Sequence, residues 1–294
     1  MAAGMRLAGS TVVITGGGSG IGRLMALGAA RRGARAVVWD LSSERAEATR
    51  DEIRASGGQA EAFTVDVSDP EAVATAGADT LAAVGSVDVL INNAGVVTGR
   101  RLLDATEDGI RRTFDVNVLA LFWVTRAFLP QMIERRRGRV VTIASAAGLV
   151  GVAKQTDYSA SKHAAVGFDE SLRSEMRAGR TGVTTMVVCP YYIDTGMFEG
   201  VRTRFPLLLP ILKEREVSEK VLDGIESGRK QLIFPPLVRF TPVMRVLPVG
   251  LFDRINDFLG VNKSMEHFAG RPGDVPGTAP IDVPDKEAPG DSAA

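Results

Sequence analysis

From Thr11 onward the chain alternates short β-branched runs with longer stretches of helical period. Residues 11–15, 36–40, 62–66, 87–92, 138–144 and 182–189 are rich in Val, Ile, Thr and Ala. They are mostly continuous apolar runs rather than strict alternations, which is what a sheet covered on both faces requires. Between them, residues 21–32, 43–56 and 157–177 carry Ala, Leu, Glu and Arg at helical spacing. Strand followed by helix, repeated along the chain, predicts an α/β fold: a doubly wound, Rossmann-like parallel sheet of about seven strands, helices on both faces and right-handed crossovers.

Two regions break the rhythm. Residues 193–212 are rich in Phe, Leu and Pro and sit where such folds place loops over a ligand. Residues 231–260 are apolar, interrupted by four prolines, and between 229 and 254 five cations stand against one acid. The expected organisation is a dinucleotide-binding and catalytic domain over 1–230 and an apolar C-terminal extension over 231–270. That extension either covers the cleft or, through 231–260, touches a membrane surface. Residues 271–294 hold five Pro, three Gly and no aromatic residue, a composition that predicts a disordered tail.

Composition narrows the function classes. In 294 residues, 35 basic side chains balance 35 acidic ones, so nucleic acid is not expected as the main partner. One cysteine, Cys189, excludes an internal disulfide and a Cys-based zinc cage, and two histidines exclude a His-rich metal site. No metal is expected. The N-terminus lacks the pattern of a secretory leader, and uncharged stretches after residue 200 fall far short of the ~20 residues of a membrane span. The expectation is a cytoplasmic protein, soluble or peripheral to a membrane.

Directly after the first strand come Thr15, Gly16, Gly17, Gly18, Ser19, Gly20, Ile21 and Gly22. Glycines allow the tight strand-to-helix turn, let backbone approach a diphosphate, and bring the helix close to the sheet. The positive end of the helix then faces the phosphates. The spacing is Gly-x-x-x-Gly-x-Gly rather than Gly-x-Gly-x-x-Gly, and a mere tight turn is the plain alternative. Asp40 sharpens the reading, because it ends the second strand where a carboxylate would hydrogen-bond the adenosine ribose. It would repel a 2′-phosphate; Leu41 and the paired glycines supply no cation, and Arg23 is the nearest candidate. NAD(H) is therefore expected over NADP(H).

Tyr158 and Lys162 stand at i and i+4, on one face of a helix. Ser145 lies at the end of the fifth strand, on the carboxyl edge where open α/β sheets bind ligands. A free phenol has a pKa near 10, whereas an acid/base catalyst works near neutrality. Moving it ~3 units takes about 4 kcal/mol. One ammonium ~4 Å away, at an effective dielectric of ~20, supplies about that much. Ser145 would donate a hydrogen bond to an oxygen gaining charge. Alone, a Tyr-x-x-x-Lys pair reads equally as a solvated helix face.

Together these residues resemble the short-chain dehydrogenase/reductase family, from about Leu7 to Phe205 and more loosely to Arg271. The matching motifs are Thr15 to Gly22, Asp66, the Asn92-Asn93-Ala94-Gly95 run, Asn117, Ser145, Tyr158 to Lys162, and Pro190 with Thr195. The resemblance implies a catalytic tetrad of Asn117, Ser145, Tyr158 and Lys162, with Asn117 holding a relay water near Lys162. It implies adenine contacts from Asp66 and Val67, and a cleft lined by Asn93, Ala94 and Gly95. Lys162 would bind the nicotinamide ribose, while Ile193 and Thr195 would hold the carboxamide. The family's Pro-Gly after the sixth strand is here Pro190-Tyr191, where a bulky ring would narrow the pocket or orient a substrate. Asn117 as a backbone cap and Asp66 as a turn residue are the plain alternatives.

The stretch from Asp194 to Gly200, the Trp39-Asp40 pair, and Phe258-Leu259-Gly260 with Ser264-Met265 look like the retinol-dehydrogenase and 17β-hydroxysteroid-dehydrogenase branch. That resemblance implies a lipophilic alcohol or ketone as substrate (retinoid-, steroid- or long-chain-alcohol-like), a place in lipid metabolism, and frequent membrane association. Branch members commonly carry an N-terminal anchor; ten residues before the first strand leave none expected here. Met197, Phe198, Val201, Phe205 and Leu207 to Leu209 would form an apolar lid, or pack against the domain or a partner. A homo-oligomer, dimer or tetramer, is implied through helices at 119–135 and 161–177. The rival readings are an NADP-dependent carbonyl reductase and a non-catalytic dinucleotide-binding scaffold at a membrane surface.

Overall fold

A computed structural model describes residues 4–270, so the tail expected over 271–294 lies outside the described residues. Seven parallel strands make one sheet in the order β3-β2-β1-β4-β5-β6-β7. They are β1 (Thr11–Thr15), β2 (Arg35–Asp40), β3 (Gln59–Thr64), β4 (Val89–Asn92), β5 (Gly138–Ile143), β6 (Val183–Pro190) and β7 (Gln231–Phe234). The order reverses at β1, which pairs with both β2 and β4; such a switch point opens a crevice at the strands' carboxyl ends.

The helices are α1 (Gly20–Arg31), α2 (Ser43–Ala55), α3 (Pro70–Val84), α4 (Glu107–Phe114), α5 (Ala120–Glu134), α6 (Thr156–Ala178), α7 (Glu214–Glu226), α8 (Thr241–Met244) and α9 (Val249–Phe258). Successive strand residues point to opposite faces, and the core divides accordingly. Val12, Ile14 and Val38 pack with Met25 and Ala29 of α1 and Val221 and Leu222 of α7. Val13, Val37 and Leu90 pack on the other side with Val73 of α3, Val124 and Phe128 of α5, and Leu172 of α6. Several helix starts are written in the sequence. Ser42 caps α2, while Asp69 accepts two backbone N–H groups of α3, whose first residue is Pro70.

The first and last long helices are bound together. A Cβ at Gly28 of α1 would come within 2.5 Å of Leu222 Cδ1 of α7, so a larger residue there would make that side chain shift. Arg32 beside them pairs with Glu219 at 2.6 Å, Asp223 at 2.8 Å and Glu226 at 2.8 Å. These ion pairs hold the guanidinium above its ordinary pKa against the opposing effect of burial.

Two differences from the sequence reading have physical causes. Strand β3 starts at Gln59, directly after Gly57 and Gly58, and ends before Asp66. The Asp66 carboxylate instead accepts from the Ser68 N–H and hydroxyl in a turn. The run read as a uniform extension begins with β7, whose Val187 to Pro190 register with β6 makes it part of the sheet. Its four residues are closed off only by Pro235 and Pro236, so no polar punctuation separates it from the apolar run beyond. Glu107–Glu134 forms one helical stretch long and apolar enough by composition to cross a membrane. Here its Val124, Phe128 and Met132 belong to the core.

Candidate active site

The glycine turn is built to admit a ligand's backbone. Gly16 and Gly20 take φ of +62° and +50°, a region that side chains resist. At Gly22 a Cβ would stand 2.1 Å from the Gly16 carbonyl oxygen and 2.6 Å from the Asn93 amide nitrogen. Ser19, at the N-cap of α1, makes no side-chain capping bond, and the first turn carries no acid. Gly16, Ser19, Gly20, Ile21 and Gly22 all line a long cleft along the strand ends. The positive end of α1 thus faces an open, backbone-lined cradle, which fits a diphosphate.

Farther along the cleft, Asp40 is buried at the end of β2. Its carboxylate accepts from the Gly18 N–H at 2.9 Å and the Ser42 N–H at 3.0 Å, tying the glycine turn to β2. Leu41, Asp66 and Val67 line the same end. Arg45 of α2 also lines it, 3.5 Å from Asp40. Sequence reasoning named Arg23 as the nearest cation, but Arg23 pairs with Glu52. The missed signal was the first turn of α2, which brings Arg45 back over the end of β2.

At the switch point, Asn93 Nδ2 donates to the Thr15 and Gly16 carbonyls at 2.9 and 3.2 Å. The Thr15 hydroxyl accepts from the N–H groups of Asn93 and Ala94. These bonds clamp β1 to β4, and Asn93, Ala94 and Gly95 form the cleft floor. Pro190, Ile193 and Thr195 line the opposite wall together with Tyr191. The lining residues therefore run continuously from the Asp40 carboxylate to the strand ends of β5 and β6, an extent that fits a dinucleotide.

Ser145, Tyr158 and Lys162 meet at that far end. Ser145 follows β5 and caps a short 3-10 turn, its Oγ accepting the Ala147 N–H at 3.1 Å. That leaves its own proton for another acceptor. Tyr158 and Lys162 occupy the first turns of α6 and are both buried. Lys162 Nζ donates to the Ile143 carbonyl at 2.9 Å and lies 5.6 Å from the Tyr158 ring centroid.

The electrostatics correct the expectation that one ammonium suffices to bring the phenol toward neutrality. Burial drives the Tyr158 pKa above its ordinary range; a hydrogen bond with Ser145 lowers it, and neighbouring Tyr192 raises it. Burial also holds Lys162 down to about 8. Burial dominates at Tyr158, so its proton is held more tightly than on a free phenol.

Asn117 stands behind this group. It falls in a single π-helical turn, Asp115–Leu119, between α4 and α5. Its Oδ1 accepts from the Val96 N–H at 2.8 Å, while Nδ2 donates to the Val96 carbonyl at 2.9 Å and the Ser161 hydroxyl at 3.0 Å. A Cβ on Gly95 would lie 3.3 Å from Asn117 Oδ1 and 3.5 Å from Lys162 Nζ. The side chain thus bolts the loop after β4 to α6 beside the lysine.

A second, apolar pocket adjoins the cleft, with Ser145, Tyr191 and Phe198 in the wall between them. Tyr191, which replaces the family's glycine, packs edge-on against Tyr192, and Tyr192 packs edge-on against Phe198. Leu209, Leu237, Val238, Met244 and Leu259 line its far side. Leu237 onward come from the C-terminal segment, which the sequence reading expected either to cover the cleft or to touch a membrane. Gln155 and Asn256 add polar groups that the sequence did not single out.

A switch-point cleft with a glycine cradle, joined to a Ser-Tyr-Lys group, defines a dinucleotide-dependent oxidoreductase of hydroxyl or carbonyl carbon. The family model described as short chain dehydrogenase matches residues 10–204, and the chain belongs to that family. It is 43% identical over 268 residues to epidermal retinol dehydrogenase 2 of Mus musculus, an alignment covering 90% of this chain and 87% of the relative. A crystal structure of a short-chain dehydrogenase/reductase from Burkholderia phymatum in complex with NAD superposes with a TM-score of 0.76 at 28% identity, covering 84% of this chain and 96% of that one. A metagenomic short-chain oxidoreductase in complex with NADP gives 0.66 at 30% identity, covering 79% and 99%.

Proposed function

We propose that this protein is an NAD-dependent alcohol dehydrogenase or ketone reductase acting on lipophilic alcohols and ketones of retinoid, steroid or long-chain type. The observation that carries the reading is the shared wall: Ser145 faces both the dinucleotide-shaped cleft and the apolar pocket, hydrogen-bonded to Tyr158. A carbinol lodged in the pocket then meets a proton acceptor and a hydrogen-bond donor at the edge of the cleft. Asp40 would hold the adenosine ribose and disfavour a 2′-phosphate. The turn from Gly16 to Gly22 would take the diphosphate, and Asp66 with Val67 would flank the adenine. Pro190, Ile193 and Thr195 would hold the carboxamide end.

The bound dinucleotide supplies the hydride chemistry; the protein supplies position and field. Tyr158 exchanges the proton of the substrate hydroxyl. Ser145 donates to the same oxygen, steadying charge as it builds. Lys162 orients the nicotinamide ribose and adds positive field, while Asn117 positions Lys162 and its proton path. The positive charge of an oxidised cofactor would add to the field at Tyr158. Tyr158→Phe is expected to abolish turnover of retinol-, steroid- and long-chain-alcohol probes while NAD binding, measured by calorimetry, stays nearly unchanged. Wild-type-like turnover in that variant would remove the assignment.

The segment 231–270 serves this reading as a cover for the pocket, and its outer face supports contact with an anionic membrane. Phe240, Val243, Val246 and Val249 are exposed there, interleaved with Arg239, Arg245 and Arg254. Exposed Leu119 and Phe122 near the start of α5 favour association of two copies through the α5 and α6 surface.

A further inference from the structure

Gln155 is fully buried, lines the apolar pocket, and carries a side-chain oxygen with no hydrogen-bond donor among the described residues. It is the N-cap residue of α6, yet its side chain makes no capping bond. Its neighbours decide which end of the carboxamide is bare. The Ser264 hydroxyl donates to the Val261 carbonyl at 2.7 Å, so its proton is committed. The Tyr192 hydroxyl, 2.9 Å from that same Oγ, is therefore the donor between the two. A phenol whose one proton is spent can only accept, and Gln155 Nε2 stands 3.4 Å from it, with the Met265 sulfur at 3.1 Å. This chain orients the amide and leaves Oε1 as a buried acceptor. Native interiors seldom leave such an atom unpaired, and the cost is repaid when a ligand brings a donor. Beyond Gln155 the wall is mostly aliphatic and aromatic, with Ser145, Thr241, Asn256 and the two tyrosines as its other polar groups.

We propose that Gln155 Oε1 receives a second hydroxyl of the substrate, one that is not oxidised. Gln155 is then a specificity-determining residue for lipophilic dihydroxy compounds. The inference rests on taking the apolar pocket as the substrate site of the dehydrogenase. A simple mono-alcohol would leave the acceptor unpaired, and sites built to hydrogen-bond a hydroxyl discriminate strongly against analogues that lack it.

The test pairs a positional series of long-chain alkanediols, and a steroid diol, each with its matching mono-alcohol. Dissociation constants are measured by calorimetry with and without NADH, and NADH formation is followed in parallel. At least one diol is expected to bind about tenfold or more tightly than its mono-alcohol. Gln155→Met should bring that ratio to unity, whereas Gln155→Glu, which keeps an oxygen at that place, should retain it. General damage to the pocket would weaken both members of a pair and leave the ratio unmoved. A preference that survives Gln155→Met, or wild-type binding that favours no diol, overturns the inference. Diol preference without NADH formation from any probe would keep Gln155 as a diol-binding residue but remove this pocket as the site of oxidation; NADH formation with every ratio near unity would overturn the inference and leave the proposed function standing.

Discussion

Burying an ammonium is costly, and Lys162 carries that cost in its pKa of about 8. In the unfolded chain the same group keeps its proton to about pH 10. Between those values the unfolded state binds more protons than the folded one, so folded stability rises with pH across that window. Below pH 8 the bare protein bears the full penalty of the charge. Measured against Lys162→Met in scanning calorimetry without dinucleotide, the wild type is expected to gain melting temperature between about pH 8 and 10. Parallel curves for the two proteins would contradict the burial account. At this scale the sequence displays Tyr158, Lys162 and Ser145 because helix periodicity and a strand end give them spacing. It hides Gln155, since a helix read from 157 leaves that residue in the preceding loop and a lone carboxamide has no pattern. Tyr158's raised pKa is hidden for another reason: its burial depends on residues distant in sequence, such as Phe198 packed edge-on against its ring.

Among elements, the turn between β1 and α1 and the end of β2 work as one device. Asp40 anchors Gly18, with Arg45 at its flank; on the proposed reading it would also set a negative charge against a 2′-phosphate. Asp40→Ser removes the repulsion and leaves the guanidinium. The ratio of kcat/KM for NAD over NADP should then fall by about tenfold or more, the scale of one charge pair near a protein surface. An unchanged ratio would mean that Asp40 does not read the ribose. Most strands of the sheet are legible from apolar runs, and α1, α2 and α6 from their helical spacing. Strand β7 is not, because its apolar residues merge with those that follow; only pairing with β6 separates them. The π-turn at Asn117 is likewise set by tertiary bonds to Val96 and Ser161 rather than by local propensity.

For the molecule as a whole, the C-terminal segment has two faces with different duties. Its inner residues Leu237, Val238 and Leu259 wall the pocket, while Phe240, Val243, Val246 and Val249 are left exposed among arginines. The protein is expected to float with anionic liposomes. A double substitution, Val246→Glu with Val249→Glu, should abolish flotation and leave the sheet intact. Equal flotation of the two proteins would rule out this surface as the contact. The fold class follows from strand–helix alternation and the segment's apolar character from composition, but its division into pocket-lining and exposed sides does not, since its prolines obscure any period.

The pairing of α1 with α7 carries a consequence for biogenesis. Met25 and Ala29 of α1 pack with Val221 and Leu222, and Arg32 finds three of its acids there, all late in the chain. On the ribosome, the first helix therefore leaves the exit tunnel long before the residues that shield it have been made. Throughout that interval the nascent polypeptide shows an oily flank and an unneutralised guanidinium, a natural handhold for chaperones.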